Sequence, residues 1–129
     1  MTETQTTHGI KITVETSFQE EYSEPANNKY IFAYRVTIEN MNDFAVQLLS
    51  RHWFIFDSSA TNREVDGEGV IGQQPTIHAK QSFQYTSWCD LTTDMGSMRG
   101  YYIMRSLKTE KKLEVQIPEF NLMPAYRQS

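Results

Sequence analysis

Tyr30-Ile31-Phe32-Ala33-Tyr34-Arg35-Val36-Thr37-Ile38-Glu39 is the stretch that decides the fold class. Tyr30, Phe32, Tyr34, Val36 and Ile38 share one parity, while Arg35, Thr37 and Glu39 mark the other. Successive side chains of a strand point to opposite faces, so a period of two reads as a strand buried on one face. Ile10, Ile12, Val14, Thr16 and Phe18 alternate in the same way with Lys11, Thr13, Glu15, Ser17 and Gln19. Between these two strands, Tyr22 to Asn28 carries Pro25 and Asn27-Asn28, which is turn chemistry.

Working outward, Asn40-Met41-Asn42-Asp43 reads as the next turn, and a third strand runs from about Val46 to Asp57. Its segment Trp53-Phe54-Ile55-Phe56 is apolar on both parities, which predicts a central strand covered on both sides at that point. Ser58 to Asn62 is a turn, and Arg63-Glu64-Val65 a short edge strand. A glycine-rich stretch, Gly67 to Gly72, ends at Pro75. Strands follow at Phe83-Tyr85-Ser87, at Tyr101–Met104 and at Leu113–Ile117, the last closed by Pro118 and Pro124. Asp90 to Ser97 has room for one short helical turn. About seven strands with closely spaced turns predict an all-β, immunoglobulin- or fibronectin type III-like β-sandwich, with a small barrel as the alternative. Trp53 stands where immunoglobulin sandwiches bury a tryptophan. Residues 1–8 are expected as a flexible tail, and 9–126 as a single domain.

A chain of 129 residues has room for one such domain. Its formal net charge of -4 argues against a nucleic-acid or anionic-membrane surface, because counterion release needs a basic stripe. The single cysteine, Cys89, allows no internal disulfide and fits a reducing compartment. Met1 to Thr7 has neither a basic nor an apolar leader region, and no run approaches the roughly 18 apolar residues of a membrane helix. A cytoplasmic protein is expected.

The chemistry-bearing motif is Gly67-Glu68-Gly69-Val70-Ile71-Gly72, which satisfies G-x-G-x-x-G. A dinucleotide site needs a helix after those glycines, and Gln73-Gln74-Pro75 follows instead. Two readings stay open. The glycines supply positive φ or close backbone approach in a connection between strands. Alternatively, consecutive backbone N–H groups form an anion nest, with Arg51 and Arg63 offsetting the repulsion of Asp66 and Glu68. His8, His52 and His78 lack metal-ligand spacing, and no nucleophile–base set stands out, so neither a metal, a cofactor nor an enzyme is expected. His8 is assigned to the tail, His52 to local bonding on its strand, and His78 to the surface. Glu15, Glu20, Glu21 and Glu24 make the early chain acidic, and Arg99, Arg105, Lys108, Lys111 and Lys112 make its end basic. First and last strands lying side by side would let these complement each other; a charged docking face is the functional alternative. Arg99, Tyr101 and Tyr102 form the candidate interaction surface, with one tyrosine of the pair facing out.

Several blocks resemble the ApaG family: Tyr34–Asn40, Val46–Trp53, Gly67–Pro75, Gly96–Gly100 and Ile117–Phe120. They keep their order across nearly the whole chain. The resemblance implies a disulfide-free sandwich, often homodimeric, with no established enzymatic activity and an association with cobalt and magnesium tolerance. Related domains act as protein-interaction modules. It further implies pyrophosphate or nucleotide as a ligand of Gly67, Gly69 and Gly72. An unidentified protein partner, and neither nucleic acid nor membrane, completes the expectation.

Overall fold

The computed structural model describes residues 2–127. Nine strands lie within them: β1 (Thr2–Thr7), β2 (Ile10–Phe18), β3 (Tyr30–Asn40), β4 (Val46–Asp57), β5 (Thr61–Glu68), β6 (Thr76–Ile77), β7 (Ser82–Leu91), β8 (Gly96–Ser106) and β9 (Lys112–Leu122). They form two antiparallel sheets, ordered β1-β2-β3-β7 and β5-β4-β8-β9, with β6 pairing the start of β4. This is the expected β-sandwich. Among the described residues, helical structure is confined to single 3-10 turns at Glu20–Tyr22, Pro25–Asn27 and Ala125–Arg127.

The inner parities are those read from the sequence. Ile10, Ile12 and Val14 of β2 and Phe32, Tyr34, Val36 and Ile38 of β3 are buried against the second sheet's Trp53, Met98, Tyr102, Val115 and Phe120. Trp53 is the hub of the layer between them, its ring meeting Tyr34, Tyr102 and Phe120 edge-on. Asn40 ends β3 on the buried side, where its Nδ2 donates to the carbonyls of Phe44 and Ile77 and so satisfies an otherwise costly burial.

Two irregularities set which residues face out. On β4 the ladder to β8 skips between Leu48 and Ser50, so Leu49 is a bulge. Before it, Val46 and Leu48 point inward; after it, Trp53, Ile55 and Asp57 do, a switch from even to odd. On β9, Met98 pairs Phe120 while Gly100 pairs Ile117, leaving Pro118 in a bulge. Pro118 therefore does not close the strand, as the sequence reading had it. A proline without an N–H fits a bulge, and β9 continues to Leu122.

The amino-terminal segment also departs from expectation. Thr2–Thr7 is a strand in register with β2 from Thr2↔Glu15 to Thr7↔Ile10, joined to it by His8-Gly9. Both loop residues have positive φ, 52° and 75°, as a two-residue hairpin turn requires. Asn42 holds that turn from outside, its Nδ2 donating to the His8 carbonyl. His8 is thus a turn residue rather than part of a tail.

Candidate functional site

The glycine motif folds as two pieces of hairpin. Gly67 lies within β5 opposite Arg51, and a Cβ there would stand 3.0 Å from the Arg51 guanidinium, which covers it. Arg51 Nη1 donates to the carbonyls of Glu68 and Gly69 at 3.0 and 2.9 Å. Gly69 turns the chain at φ +64°, and a side chain there would strike the Gln73 carbonyl at 2.1 Å. Val70 and Gln73 then exchange both main-chain hydrogen bonds around Ile71-Gly72, whose φ values of 43° and 75° make a second tight hairpin turn. The Gly69 N–H donates to the bulge carbonyl of Leu49 and the Val70 N–H to Gln73. A nest needs consecutive N–H groups aimed at the ligand; those two are aimed at the protein.

Strand alternation sorts the surrounding charges. Glu64, Asp66 and Glu68 share the outward parity of β5, opposite Phe54, His52 and Ser50, whereas Arg63, Val65 and Gly67 share the inward parity. Arg51 is therefore brought together with Gly67 and Gly69, whereas Gly72 stands apart at the tip of the second turn. Arg63 is not among them: it reaches across to the other sheet, where its guanidinium donates to the Asp90 carbonyl and approaches the Cys89 Sγ at 3.7 Å. Burial pushes the Cys89 thiol up to about 11, with the nearby Arg63 charge pulling the other way, so the thiol stays protonated at neutral pH.

The candidate interaction surface divides at the peptide bond between its two tyrosines. Tyr102 is fully buried, so its assignment to an interaction surface is overturned. Its hydroxyl bonds Tyr85 OH at 2.5 Å, tying β8 to β7 across the sandwich. Burial raises the pKa of both phenols. Tyr101 faces outward with Arg99, two residues before it on the same parity.

The outer face of β5-β4-β8-β9 is where the sequence signal was richest and least understood. Phe54 and Phe56 project there; Phe54 is half-buried beside His52 and Arg99, and Phe56 is 45 % exposed. The Arg99 guanidinium lies 4.7 Å from the centre of the Phe54 ring. His52 stacks on Tyr101 at 5.2 Å and 8° between planes, and its Nε2 meets a Glu64 carboxylate oxygen at 3.1 Å. His52 is locally bonded, as expected. Phe54, Phe56, Asn62, Glu64, Ser97 and Arg99 surround a shallow depression of about 650 Å³. The expectation that Trp53–Phe56 is covered on both sides thus fails on one side. The bulge at Leu49 sets which of the two apolar parities faces out.

The charge halves of the chain do not neutralise each other. Glu20, Glu21 and Glu24 sit in the β2–β3 connection, while Lys108 and Lys111 sit in the β8–β9 hairpin. The register places these connections at opposite ends of the strands: Phe32 near the first pairs Cys89, and Arg105 at the second pairs Lys112.

A two-sheet sandwich with a buried tryptophan on its third long strand, no disulfide and an aromatic outer face defines an immunoglobulin-like β-domain. Comparison with known proteins narrows this. The family model described as the ApaG domain matches residues 20–106. The chain is 41 % identical to the ApaG protein of Mesorhizobium japonicum over 95 % of each chain. It is 47 % identical to that of Methylorubrum extorquens over 90 % of this chain and 88 % of the relative. The crystal structure of a putative ApaA protein from Bordetella pertussis superposes with a TM-score of 0.87 at 39 % identity, covering 90 % of this chain and 94 % of that one. The chain belongs to the ApaG family.

Proposed function

We propose that the chain is a non-catalytic, cytoplasmic protein-binding module, linked through its partner to divalent-cation (Co2+/Mg2+) homeostasis, and that it binds with the outer face of β5-β4-β8-β9. The observation that supports this reading is the row of Phe54, Phe56, Arg99 and Tyr101 on a face that ordinarily alternates to polar residues. Aromatic side chains and arginine are the groups enriched in the buried centres of protein interfaces. Here the cation–π and stacking contacts orient Phe54, Arg99 and Tyr101 before any partner arrives, which lowers the ordering cost of binding. The link to cations rests on the family's association with cobalt and magnesium.

The test is capture of partners from a lysate of the producing cells by wild-type protein and by the double variant Phe54→Ser/Phe56→Ser. A protein retained by the first and lost by the second is the expected result. Equal retention by both, or by neither, overturns it. In the same cells, deletion of the gene and the double variant are both expected to change cobalt tolerance; wild-type tolerance in the variant beside a changed tolerance in the deletion removes the link between this face and the cation role.

A further inference from the structure

The strand β7 is an open edge. It pairs β3 along one side and, among the described residues, nothing along the other. The Asn40 N–H donates to the Gln81 carbonyl, which sets the phase of the ladder. Antiparallel pairing alternates, so the main-chain groups of Ser82, Gln84, Thr86, Trp88 and Asp90 point away from β3. Asp90 bears this out: its carbonyl accepts from Arg63 of the other sheet.

Exposed edges are normally blunted by lysine, proline, a bulge or short length. Ser82–Leu91 is ten residues, SFQYTSWCDL, without lysine, arginine, proline or glycine. Its register runs unbroken from Glu39↔Ser82 to Tyr30↔Leu91. The facing edge, β5, is by contrast studded with Arg63, Glu64, Asp66 and Gly67.

Beside the open edge stand two aromatic rings. Trp88 is 51 % exposed and Tyr22 57 %, and they meet edge to face at 5.3 Å and 86°. With Lys29, Ile31, Cys89 and Asp90 they border a depression of about 430 Å³. Both cations nearby are engaged: Lys29 lies 3.6 Å from Glu24, and Arg63 lies 3.4 Å from the Asp90 carboxylate. Glu20 and Glu21, next to Tyr22 in the chain, have no ion-pair partner among the described residues. The depression itself is lined by one carboxylate, Asp90, and one ammonium, Lys29, each held in an ion pair, so the exposed π-faces are what it offers a cation.

We propose that the β7 edge receives an extended segment of a partner protein as an added strand, with an arginine or lysine of that segment lodged against Trp88 and Tyr22. Main-chain hydrogen bonds to Gln84, Thr86 and Trp88 supply affinity, and the aromatic pair supplies selection for a cation. Arg63, by occupying the Asp90 carbonyl, marks where the added strand ends. This surface belongs to the other sheet from Phe54 and Phe56, so it goes beyond the function proposed above and stands or falls separately.

The probe is a short acetylated peptide of alternating threonine and valine with one central arginine, titrated into the intact chain and followed by backbone amide shifts and tryptophan fluorescence. Trp53 is only 2 % exposed, so a solvent-dependent fluorescence change reports on Trp88. The expected result is amide shifts concentrated at Gln84, Thr86 and Trp88, with a quench or blue shift of Trp88. Trp88→Ala is expected to weaken binding about ten-fold. Thr86→Pro, which removes an outward N–H but no bond to β3, is expected to abolish it. Phe56→Ser leaves it unchanged. Equal binding of a peptide with glutamate in place of arginine, shifts centred elsewhere, or no shift at millimolar peptide would overturn the proposal.

Discussion

The two sheets treat their outer faces differently. On β1-β2-β3-β7 the outward residues of the middle strands are Lys11, Thr13 and Glu15 against Glu39, Thr37 and Arg35, cross-strand partners of matched polarity. Arg35 Nη2 donates to both Glu15 oxygens at 3.0 Å, and Lys11 lies 3.9 Å from Glu39. On β5-β4-β8-β9 the corresponding centre is His52, Phe54 and Phe56 against Tyr101, Arg99 and Ser97. The first face is finished by its own pairs. The second presents rings to solvent and holds them with weak contacts of their own. A sheet that needed only solubility has no use for that arrangement, so the contrast supports the reading that the second face binds; on the first sheet the exposed rings are Trp88 and Tyr22, beside the β7 edge.

The largest expected effect separates the two sides of β4 at adjacent residues. Trp53→Ala removes the ring on which Tyr34, Tyr102 and Phe120 converge and is expected to cost about 3–5 kcal/mol, read from urea unfolding. Phe54→Ser, one residue on and facing out, is expected to cost far less. Similar losses for the two would mean that the outer face is core after all and would undo the comparison.

Next is Asp57, the polar residue at the end of β4's inward parity. Burial pushes its carboxyl up, but hydrogen bonds from the Thr92 N–H, the Thr93 and Thr92 hydroxyls and the Ser59 N–H outweigh this and hold it at about 2. A folded pKa below the ordinary carboxylate value means stability that is present above roughly pH 4 and lost as pH falls through about 2. The size is roughly 2 kcal/mol. Unfolding midpoints of wild type should therefore fall across that window, whereas those of Asp57→Asn start lower and change less. Parallel curves would remove Asp57 as the clasp between β4 and the β7–β8 connection.

Tyr85→Phe comes third. It deletes one partner of the buried Tyr85–Tyr102 bond and leaves the Tyr102 hydroxyl without it, for an expected cost of about 1–2 kcal/mol. Restoring most of that loss by adding Tyr102→Phe, in a double-mutant cycle, would show that the bond and not ring packing carries the link between sheets.

How far these features were legible follows from what each residue does. Alternation in β2, β3 and β7 exposed the inner face directly, because burial there selects Ile, Val, Phe and Tyr at every second place. Trp53 was legible for the same reason. β1 was not: TETQTT is polar on both parities, and its strand state comes from pairing with β2. The Leu49 bulge leaves no composition signal, yet it decides which parity of β4 faces out. Trp53-Phe54-Ile55-Phe56 reads as covered twice because both parities are apolar, and nothing in the sequence says that one of them stays open. Tyr101-Tyr102 shows the limit of periodicity, which predicts that one ring is buried but not which. The glycine run suggested a site because its spacing matches a phosphate loop. In space its glycines answer three local demands: room for Arg51, clearance from the Gln73 carbonyl and a hairpin turn. Trp88 and Tyr22 were missed because they belong to separate elements, and the signal available was a strand without lysine, arginine or proline.

The smallest effect on stability makes the sharpest use of the comparison. Arg35→Gln removes the bidentate pair with Glu15, but both side chains are more than two-fifths exposed, at 49 % and 41 %. Pairs of that kind contribute about 0.2–1 kcal/mol and less in salt. Phe56→Ser, at a ring 45 % exposed, should cost about 0.5 kcal/mol or less. Unfolding curves of the two variants should therefore nearly coincide with that of wild type. Partner capture should not: Phe56→Ser is expected to lose retained protein that Arg35→Gln keeps. Two substitutions matched in stability and opposite in binding would locate function on the aromatic face by a difference that misfolding cannot produce. Loss of capture by Arg35→Gln alone would move it to the polar one.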